Sequence, residues 1–235
     1  MINKMKHYIL SILSLCFLLV GCQQEELIEQ QGTGYLVLES LTARVVTNQP
    51  ITRAGLEEGL GFKVLDAGKK EIINYVPDED YTSQRFELAA GNYTLVAYNQ
   101  AYLDQAYTHW TDSDLGEPIR YIEQPFTIET NKTNYLKVEV PMINFAVCLE
   151  SIQGEEYFLW FDLVVSAGKR SLQLVRGEVG YFPPSAVNET LYYYISYVND
   201  DGEGQNGSVQ TLMPVVNTQY NWIYNIDTNT LQVNE

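Results

Sequence analysis

The sequence predicts an all-β protein built from two tandem antiparallel β-sandwiches. Three observations carry this prediction. Apolar and polar residues alternate with period two in many short runs, turn-forming residues separate these runs, and no amphipathic helix longer than two turns is found. Of the 235 residues, 46% are hydrophobic and 12% are aromatic, which is enough to form a packed core.

Alternation is clearest in three segments, where the apolar residues share one face and the residues between them are polar: Phe86 and Leu88; Phe126 and Ile128; and Leu136, Val138 and Val140. This pattern is typical of strands with one face on a core and one face in water. Turn signals such as Ala90-Gly91-Asn92, Thr130-Asn131 and Ala167-Gly168 lie between the runs.

In chain order, a first set of strands is predicted near residues 34–46, 61–66, 70–76, 85–89, 93–99, 119–128 and 134–140. Pro141 then interrupts the pattern, because proline cannot donate a hydrogen bond into a central ladder. A second set is predicted near 144–150, 157–166, 170–175, 178–182, 191–198, 208–215, 220–226 and 230–233. The predicted domains are therefore 34–142 and 143–235, with one larger sandwich as the alternative. Residues 100–118 are predicted to be an irregular insertion, called the insertion below.

The N-terminus predicts a lipoprotein signal peptide over residues 1–21. Lys4 and Lys6 precede an apolar run, Tyr8–Val20, which is shorter than the about 20 residues that a spanning helix needs. Leu19-Val20-Gly21-Cys22 has the pattern of a bacterial lipobox. Cys22 is therefore the predicted acylated N-terminus, carrying fatty acids such as palmitate. The alternative is an ordinary secretory signal.

Residues 22–33 are predicted to be a lipidated flexible tether. The acidic run Gln23–Glu26 resembles the export signal of Bacteroidetes lipoproteins, although a plain polar spacer is the alternative. The expected location is the outer membrane, lipid-anchored and at the cell surface. The formal net charge is -16, and removal of Lys4 and Lys6 leaves 12 basic against 30 acidic residues, or -18. Such a charge argues against a nucleic-acid partner.

Cysteine and histidine are too scarce for most metal or catalytic centres. The cysteines stand at 16, 22 and 148, and the histidines at 7 and 109, so a zinc ribbon, a disulfide framework and a His-based triad are all excluded. Cys148 is expected to be a small buried hydrophobe. No Gly-rich phosphate loop is found, no cofactor is expected, and the protein is predicted not to be an enzyme.

The insertion holds the candidate binding residues. Two of the three carboxylates Asp112, Asp114 and Glu117 could act as a glycosidase pair, or the group could ligate calcium, but a solvated loop is the favoured interpretation. Tyr107 and Trp110 are the candidate ligand contacts, because aromatic rings near polar groups stack on sugars or anchor interfaces. The alternative is a lid over the sandwich end. Seven later aromatics are expected in the core or on sheet faces: Tyr192, Tyr193, Tyr194, Tyr197, Tyr220, Trp222 and Tyr224.

Five short motifs resemble a domain-of-unknown-function family of Bacteroidetes lipoproteins: Gly34–Ser40, Phe62–Asp66, Leu88–Ala97, Gln124–Ile128 and Gly180–Phe182. The family's architecture is similar to that of fimbrillin-like surface lipoproteins. The resemblance implies two transthyretin-like sandwiches behind a lipobox and a partner among fimbrial or other β-rich surface subunits.

The resemblance also implies proteolytic maturation. Fimbrillin-like subunits are cut after an arginine in the loop that follows the first strand, and Arg53–Ala54 stands in the corresponding place. The alternative is an exposed arginine with no such role. No donor segment is evident after the last predicted strand, so an anchor or accessory subunit is expected rather than a main stalk subunit.

The predicted function is therefore a structural or adhesive cell-surface lipoprotein that acts through β-strand pairing. The alternative is a glycan-binding outer-membrane lipoprotein that uses Tyr107 and Trp110. A hydrolase that uses the loop carboxylates comes third.

Overall fold

A computed structural model describes residues 32–44, 46–47, 59–153, 160–198 and 201–233. The first eight strands are β1 (Thr33–Arg44), β2 (Val46–Thr47), β3 (Leu60–Leu65), β4 (Glu71–Tyr75), β5 (Phe86–Ala89), β6 (Gly91–Asn99), β7 (Tyr121–Ile128) and β8 (Thr133–Pro141). The next nine are β9 (Phe145–Gln153), β10 (Trp160–Ala167), β11 (Arg170–Leu174), β12 (Val179–Phe182), β13 (Leu191–Val198), β14 (Gly204–Asn206), β15 (Gln210–Leu212), β16 (Thr218–Asn225) and β17 (Thr230–Val233). The helical pieces are short: α1 (Gln100–Asp104) and two 3-10 turns, Ala106–Thr108 and Pro184–Asn188.

The first sandwich packs the sheet β5-β1-β8 on the sheet β4-β3-β6-β7. Alternate residues of these strands point inward, as period-two alternation predicts. The core between the sheets contains Leu36, Phe62, Leu95, Ile128 and Val138, all almost fully buried.

The second sandwich packs β12-β9-β16-β17 on β11-β10-β13, with β14 and β15 both paired to the far side of β13. Its core is centred on Trp222, which is fully buried and lies near Tyr193 with ring centroids 4.9 Å apart. Phe145 and Phe182 stack in the same core, with centroids 5.0 Å apart. Each sandwich thus has its own hydrophobic cluster.

The prediction of an all-β chain with two sandwiches is confirmed, but not every pair of strands is antiparallel. β1 runs parallel to β8, and β16 runs parallel to β9 and to β2. Parallel neighbours need long crossover connections. Here the strands in each pair are far apart in sequence, so local alternation could not reveal their direction.

The first predicted strand, 34–46, is divided between the two sandwiches. β1 ends at Arg44 in the first sandwich, whereas β2 pairs with Thr218 and Gln219 in the second. The described residues from Thr33 onward belong to one compact unit. The predicted boundary near residue 142 falls between β8 and β9, and the division into the domains 34–142 and 143–235 stays a prediction.

The predicted strand 208–215 is wrong in its boundaries. Ser196 pairs with Asn206 and Tyr193 with Gln210, so three residues, Gly207 to Val209, lie opposite two residues of β13. This is a β-bulge, which interrupts the ladder. The strand then ends at Leu212, two residues before Pro214, which cannot donate a ladder hydrogen bond.

In the described residues, no helix is long and apolar enough to cross a membrane. The predicted signal peptide and tether, including Cys22, lie outside the described residues, as do Arg53 and Ala54.

Candidate functional site

A cavity of about 570 Å³ lies between the insertion and the second sandwich. The insertion contributes one wall, and the other walls come from the β10–β11 turn and from the segment after β12. The residues that line it are Tyr107, Thr108, Trp110, Asp112, Ala167, Gly168, Lys169, Arg170, Pro183, Ser185, Ala186 and Glu189.

Two buried asparagines fix the ends of the insertion. At its start, the Asn99 side chain accepts hydrogen bonds from the backbone N–H groups of Tyr102 and Arg120, and it donates to the carbonyl of Pro118 at 2.8 Å. Asn99 thereby caps α1 and joins both ends of the insertion. At the other end, the Asn144 side chain accepts from the Ile119 N–H at 3.0 Å and donates to the Glu117 carbonyl at 3.1 Å.

Arg170 holds the middle of the insertion on the second sandwich. It stands at the start of β11, is 6% exposed, and donates to the backbone carbonyls of Thr111, Asp114 and Tyr181. Burial lowers the pKa of its guanidinium, while the nearby carboxylates of Asp112 and Asp114 act in the opposite direction. One charged side chain therefore satisfies three carbonyls from two distant parts of the chain.

The structure places the two candidate ligand contacts, Tyr107 and Trp110, next to each other, and their role in ligand binding stays a prediction. The rings of Tyr107 and Trp110 lie 6.4 Å apart between centroids at 75°, an edge-to-face arrangement. The Trp110 indole lies against Gly116, where an added Cβ would stand 3.1 Å from two ring atoms. Gly116 has a φ of +73°, so this position favours glycine for both reasons. The Arg170 guanidinium lies 5.2 Å from the Trp110 ring centroid.

Two carboxylates of the insertion, Asp112 and Asp114, hold the loop in place. Asp112 accepts a hydrogen bond from the Ser171 N–H at 2.9 Å, whereas Asp114 accepts from the N–H of Thr111 at 2.7 Å and from its hydroxyl at 2.9 Å. The hydrogen bond from the Thr111 backbone is the main reason why the pKa of Asp114 is lowered. Within the described residues, no group of three or more His, Cys, Asp or Glu side chains could hold a metal ion.

Cys148 is a buried free thiol on β9, as predicted. Burial raises its pKa to about 11, with a smaller contribution from Glu150. A nucleophilic cysteine needs a lowered pKa and an accessible sulfur, and His109 is exposed on the insertion. The thiol is therefore a structural group of the sheet.

The later aromatics mostly occupy the core, as predicted. Tyr193, Tyr220, Trp222 and Tyr224 are buried, whereas Tyr192 is half exposed on the outer face of β13. The hydroxyl of Tyr220 accepts a hydrogen bond from the Val215 N–H at 2.9 Å, and that of Tyr224 donates to Asn229 at 2.8 Å.

The sequence did not reveal Lys169, Arg170 and Glu189 as members of the site. Lys169 and Arg170 directly follow the turn signal Ala167-Gly168, whereas no such signal precedes Glu189. For Arg170 the sequence offers one indication. An arginine at the start of an apolar strand is expected to be partly buried, and a buried guanidinium needs hydrogen-bond acceptors. Nothing local indicated that the insertion would supply those acceptors.

Comparison with the curated proteins finds no significant match. Among solved structures, a candidate cell adhesion protein from Bacteroides uniformis is 8% identical, with 88% of this chain and 96% of that chain covered and a TM-score of 0.48. A fimbrilin from Porphyromonas gingivalis is 13% identical, with 85% and 91% covered and a TM-score of 0.46. The fimbrial anchor protein Mfa2 from the same species is 12% identical, with 86% and 94% covered and a TM-score of 0.34.

Sequence identity at this level carries no information about a shared function. The comparison with family models is of a different kind, because it matches residues 32–235 and thus both sandwiches. The chain belongs to the family described as the domain of unknown function DUF4493.

Proposed function

We propose that this protein is a lipid-anchored cell-surface subunit with a structural or adhesive role, which joins a β-rich partner subunit through β-strand pairing. The anchor is supported by the lipobox at Leu19–Cys22 and the position at the outer membrane by the acidic run after it. The pairing is supported by an exposed apolar edge of the second sandwich. The proposed role is non-catalytic, and the use of Asp112 and Asp114 as loop-holding acceptors agrees with it.

The apolar edge consists of β15 and its flanks, residues 208–216. Within the described residues, β15 pairs with β13 on one side and with no strand on the other. Several of its exposed side chains are large and apolar: Val209 is 61% exposed, Met213 59%, and Val215 57%. An unpaired edge is a template for a strand from another chain.

The same region carries no charge. Residues 204–226 contain no Asp, Glu, Lys or Arg, although the formal net charge of the whole chain is -16. Soluble proteins commonly protect exposed edges with charged side chains, especially lysine. The uncharged edge instead offers an approach to an acidic partner without a like charge at the contact.

Two matched lysine variants test the proposed contact. Val209 and Tyr135 are both 61% exposed, but Tyr135 lies on β8 in the first sandwich. We expect Val209→Lys to abolish chemical cross-linking of the full-length protein to its β-rich partner in native membranes, and Tyr135→Lys to leave it unchanged. Equal cross-linking by both variants would show that this edge is not the contact.

The predicted cleavage at Arg53 has a clear structural consequence. β1 lies between β5 and β8 and buries Leu36 and Leu38 in the first core. A cut after Arg53 would allow β1 and β2 to leave, and the core beside β8 would then be open to another strand. The proposed anchor role requires that β1 stays in place.

Mass spectrometry of the N-terminal peptide from native membranes separates the two states. An acylated Cys22 is the expected N-terminus of an anchor or accessory subunit. A chain that starts at Ala54 would contradict the anchor role and would indicate a subunit of a polymer.

A further inference from the structure

We infer that the cavity between the insertion and the second sandwich is a binding site for a neutral carbohydrate. Tyr107 and Trp110 would stack on a sugar ring, and Lys169 and Glu189 would bind its hydroxyl groups. This inference is independent of strand pairing, because the cavity and the apolar edge share no residue.

The size of the cavity fits a small polar ligand. At about 570 Å³ it lies within the range of about 300–1,000 Å³ that is usual for small-molecule sites. The wall that the insertion contributes is fixed in position, because Arg170 and Asp112 hydrogen-bond the insertion to the start of β11. The site therefore exists before a ligand binds, which lowers the entropic cost of binding.

The aromatic pair provides two ring surfaces at 75° to each other. A sugar ring presents apolar C–H groups on its faces and hydroxyl groups around its edge, so that it stacks on an aromatic ring while its hydroxyls contact polar side chains. The contact with Gly116 and the nearby Arg170 guanidinium hold the Trp110 ring in position. A fixed ring loses little rotamer freedom when a ligand stacks on it.

The charges of the lining select against an ionic ligand. Two basic residues, Lys169 and Arg170, are balanced by two acidic ones, Asp112 and Glu189. A site for phosphate or carboxylate groups would have an excess of basic residues, and the total charge of -16 further disfavours anions. A neutral ligand rich in hydroxyl groups matches this balance.

Two of the four charged groups are available to hydrogen-bond with a ligand. Arg170 and Asp112 are already hydrogen-bonded to the backbone. In the part of the chain that the structure describes, neither the Lys169 ammonium nor the Glu189 carboxylate takes part in an ion pair or a side-chain hydrogen bond. The ammonium can donate to sugar hydroxyls and the carboxylate can accept from them.

The test is calorimetric titration of the full-length protein, purified in detergent micelles, with neutral linear oligosaccharides of glucose, mannose, galactose and xylose. Oligogalacturonate is the anionic counterpart. We expect at least one neutral oligosaccharide to bind, and Tyr107→Ala and Trp110→Ala each to lower its affinity by about tenfold. Trp160→Ala is the matched control, because Trp160 is a partly exposed tryptophan on β10 that does not line the cavity.

A second pair of variants separates ligand binding from stability of the insertion. Glu189→Gln and Lys169→Met change exposed side chains and should leave the urea midpoint unchanged while they lower the affinity. The inference is overturned if no neutral oligosaccharide binds, if the cavity variants bind like Trp160→Ala, or if oligogalacturonate binds more tightly than every neutral oligosaccharide. None of these results would affect cross-linking through Val209.

Discussion

At the scale of single residues, buried polar side chains form hydrogen bonds with the backbone of the insertion, which is not paired with a neighbouring strand in the described part of the chain. Asn99 and Asn144 are 5% and 0% exposed, and each satisfies backbone groups at the ends of this segment. Arg170 does the same for its middle. A buried backbone group without a partner is costly, and these side chains replace the missing strand neighbours.

Replacement of Arg170 by methionine keeps most of the side-chain volume and removes all three hydrogen bonds to carbonyls. We expect Arg170→Met to lower the free energy of unfolding by about 2–4 kcal/mol, because buried carbonyls would lose a charged donor. Urea denaturation measures this loss, and limited proteolysis within residues 111–117 reports release of the insertion. Arg176→Met is the control, because Arg176 is exposed just beyond β11. Equal stability of the two variants would contradict the docking role of Arg170.

Asp162 is a buried carboxyl group whose ionised form lowers the stability of the fold. It is 2% exposed, Gln173 donates to its Oδ2, and no hydrogen-bond partner is found for its Oδ1 in the described residues. Burial raises the pKa of Asp162, the hydrogen bond from Gln173 lowers it, and the nearby Glu178 raises it further. The ionised form is therefore less favourable in the folded state than in the unfolded state.

The raised pKa predicts a pH dependence of defined sign. Between the ordinary aspartate pKa of about 4 and the raised pKa of the folded state, the folded state keeps a proton that the unfolded state has released, so the stability contributed by Asp162 falls as pH rises through this window. We expect Asp162→Asn to be more stable than the natural protein at pH 7 by about 1 kcal/mol, since the amide oxygen can still accept from Gln173. The gain should shrink as pH falls toward 4. Asp201→Asn, at an exposed site, should show no such gain, and a gain that is constant with pH would contradict the assignment.

At the scale of elements, β1 is the strand whose register depends on one close approach. The Tyr35 N–H donates to the Lys132 carbonyl at 2.8 Å, and the Asn131 N–H donates to the Thr33 carbonyl at 2.8 Å. Gly34 lies between these bonds, where an added Cβ would stand 2.3 Å from the Glu129 carbonyl oxygen. Backbone atoms cannot move aside as a flexible side chain can, so only glycine fits here.

A Gly34→Ala substitution should therefore disturb the start of β1. We expect a loss of about 1–3 kcal/mol in the free energy of unfolding, as for other overpacked sites. Differential scanning calorimetry of the full-length protein measures the effect. Gly204→Ala is the control, because its added Cβ would meet no atom within 4 Å. A Gly34→Ala variant as stable as Gly204→Ala would show that β1 can shift its register at no cost.

The same scale shows how much could be predicted from the sequence. Strands such as β13 and β17 end where alternation and turn signals placed them, because these signals are local. The crossing of β2 to the second sandwich and the parallel pair β1–β8 depend on contacts between residues distant in sequence. The site follows the same rule, since Tyr107 and Trp110 were recognised by residue type, while Lys169 and Glu189 join them only through tertiary packing.

At the scale of the whole molecule, charge and apolar surface are segregated. The chain carries -16, yet residues 204–226 are uncharged, and the apolar edge lies within them. Long-range repulsion between acidic proteins is screened by salt, with a Debye length of about 10 Å at 0.1 M and about 3 Å at 1 M. Contact between uncharged strands through backbone hydrogen bonds and apolar side chains is not weakened in this way.

Strand pairing through this edge therefore predicts an unusual salt dependence. Cross-linking of the full-length protein to an acidic partner should increase when the salt concentration is raised tenfold, because salt screens the repulsion between two acidic proteins and leaves the apolar contact. An interface built on ion pairs would show the opposite trend, since salt would screen the attraction. Val209→Lys should not cross-link to the partner at either salt concentration. Its lysine would have to lose its hydration in the contact, and this cost does not depend on long-range repulsion. A cross-linking yield that falls as the salt concentration rises would contradict an uncharged contact. It would instead indicate a contact through a strand that carries charged side chains, such as β4, β5 or β8.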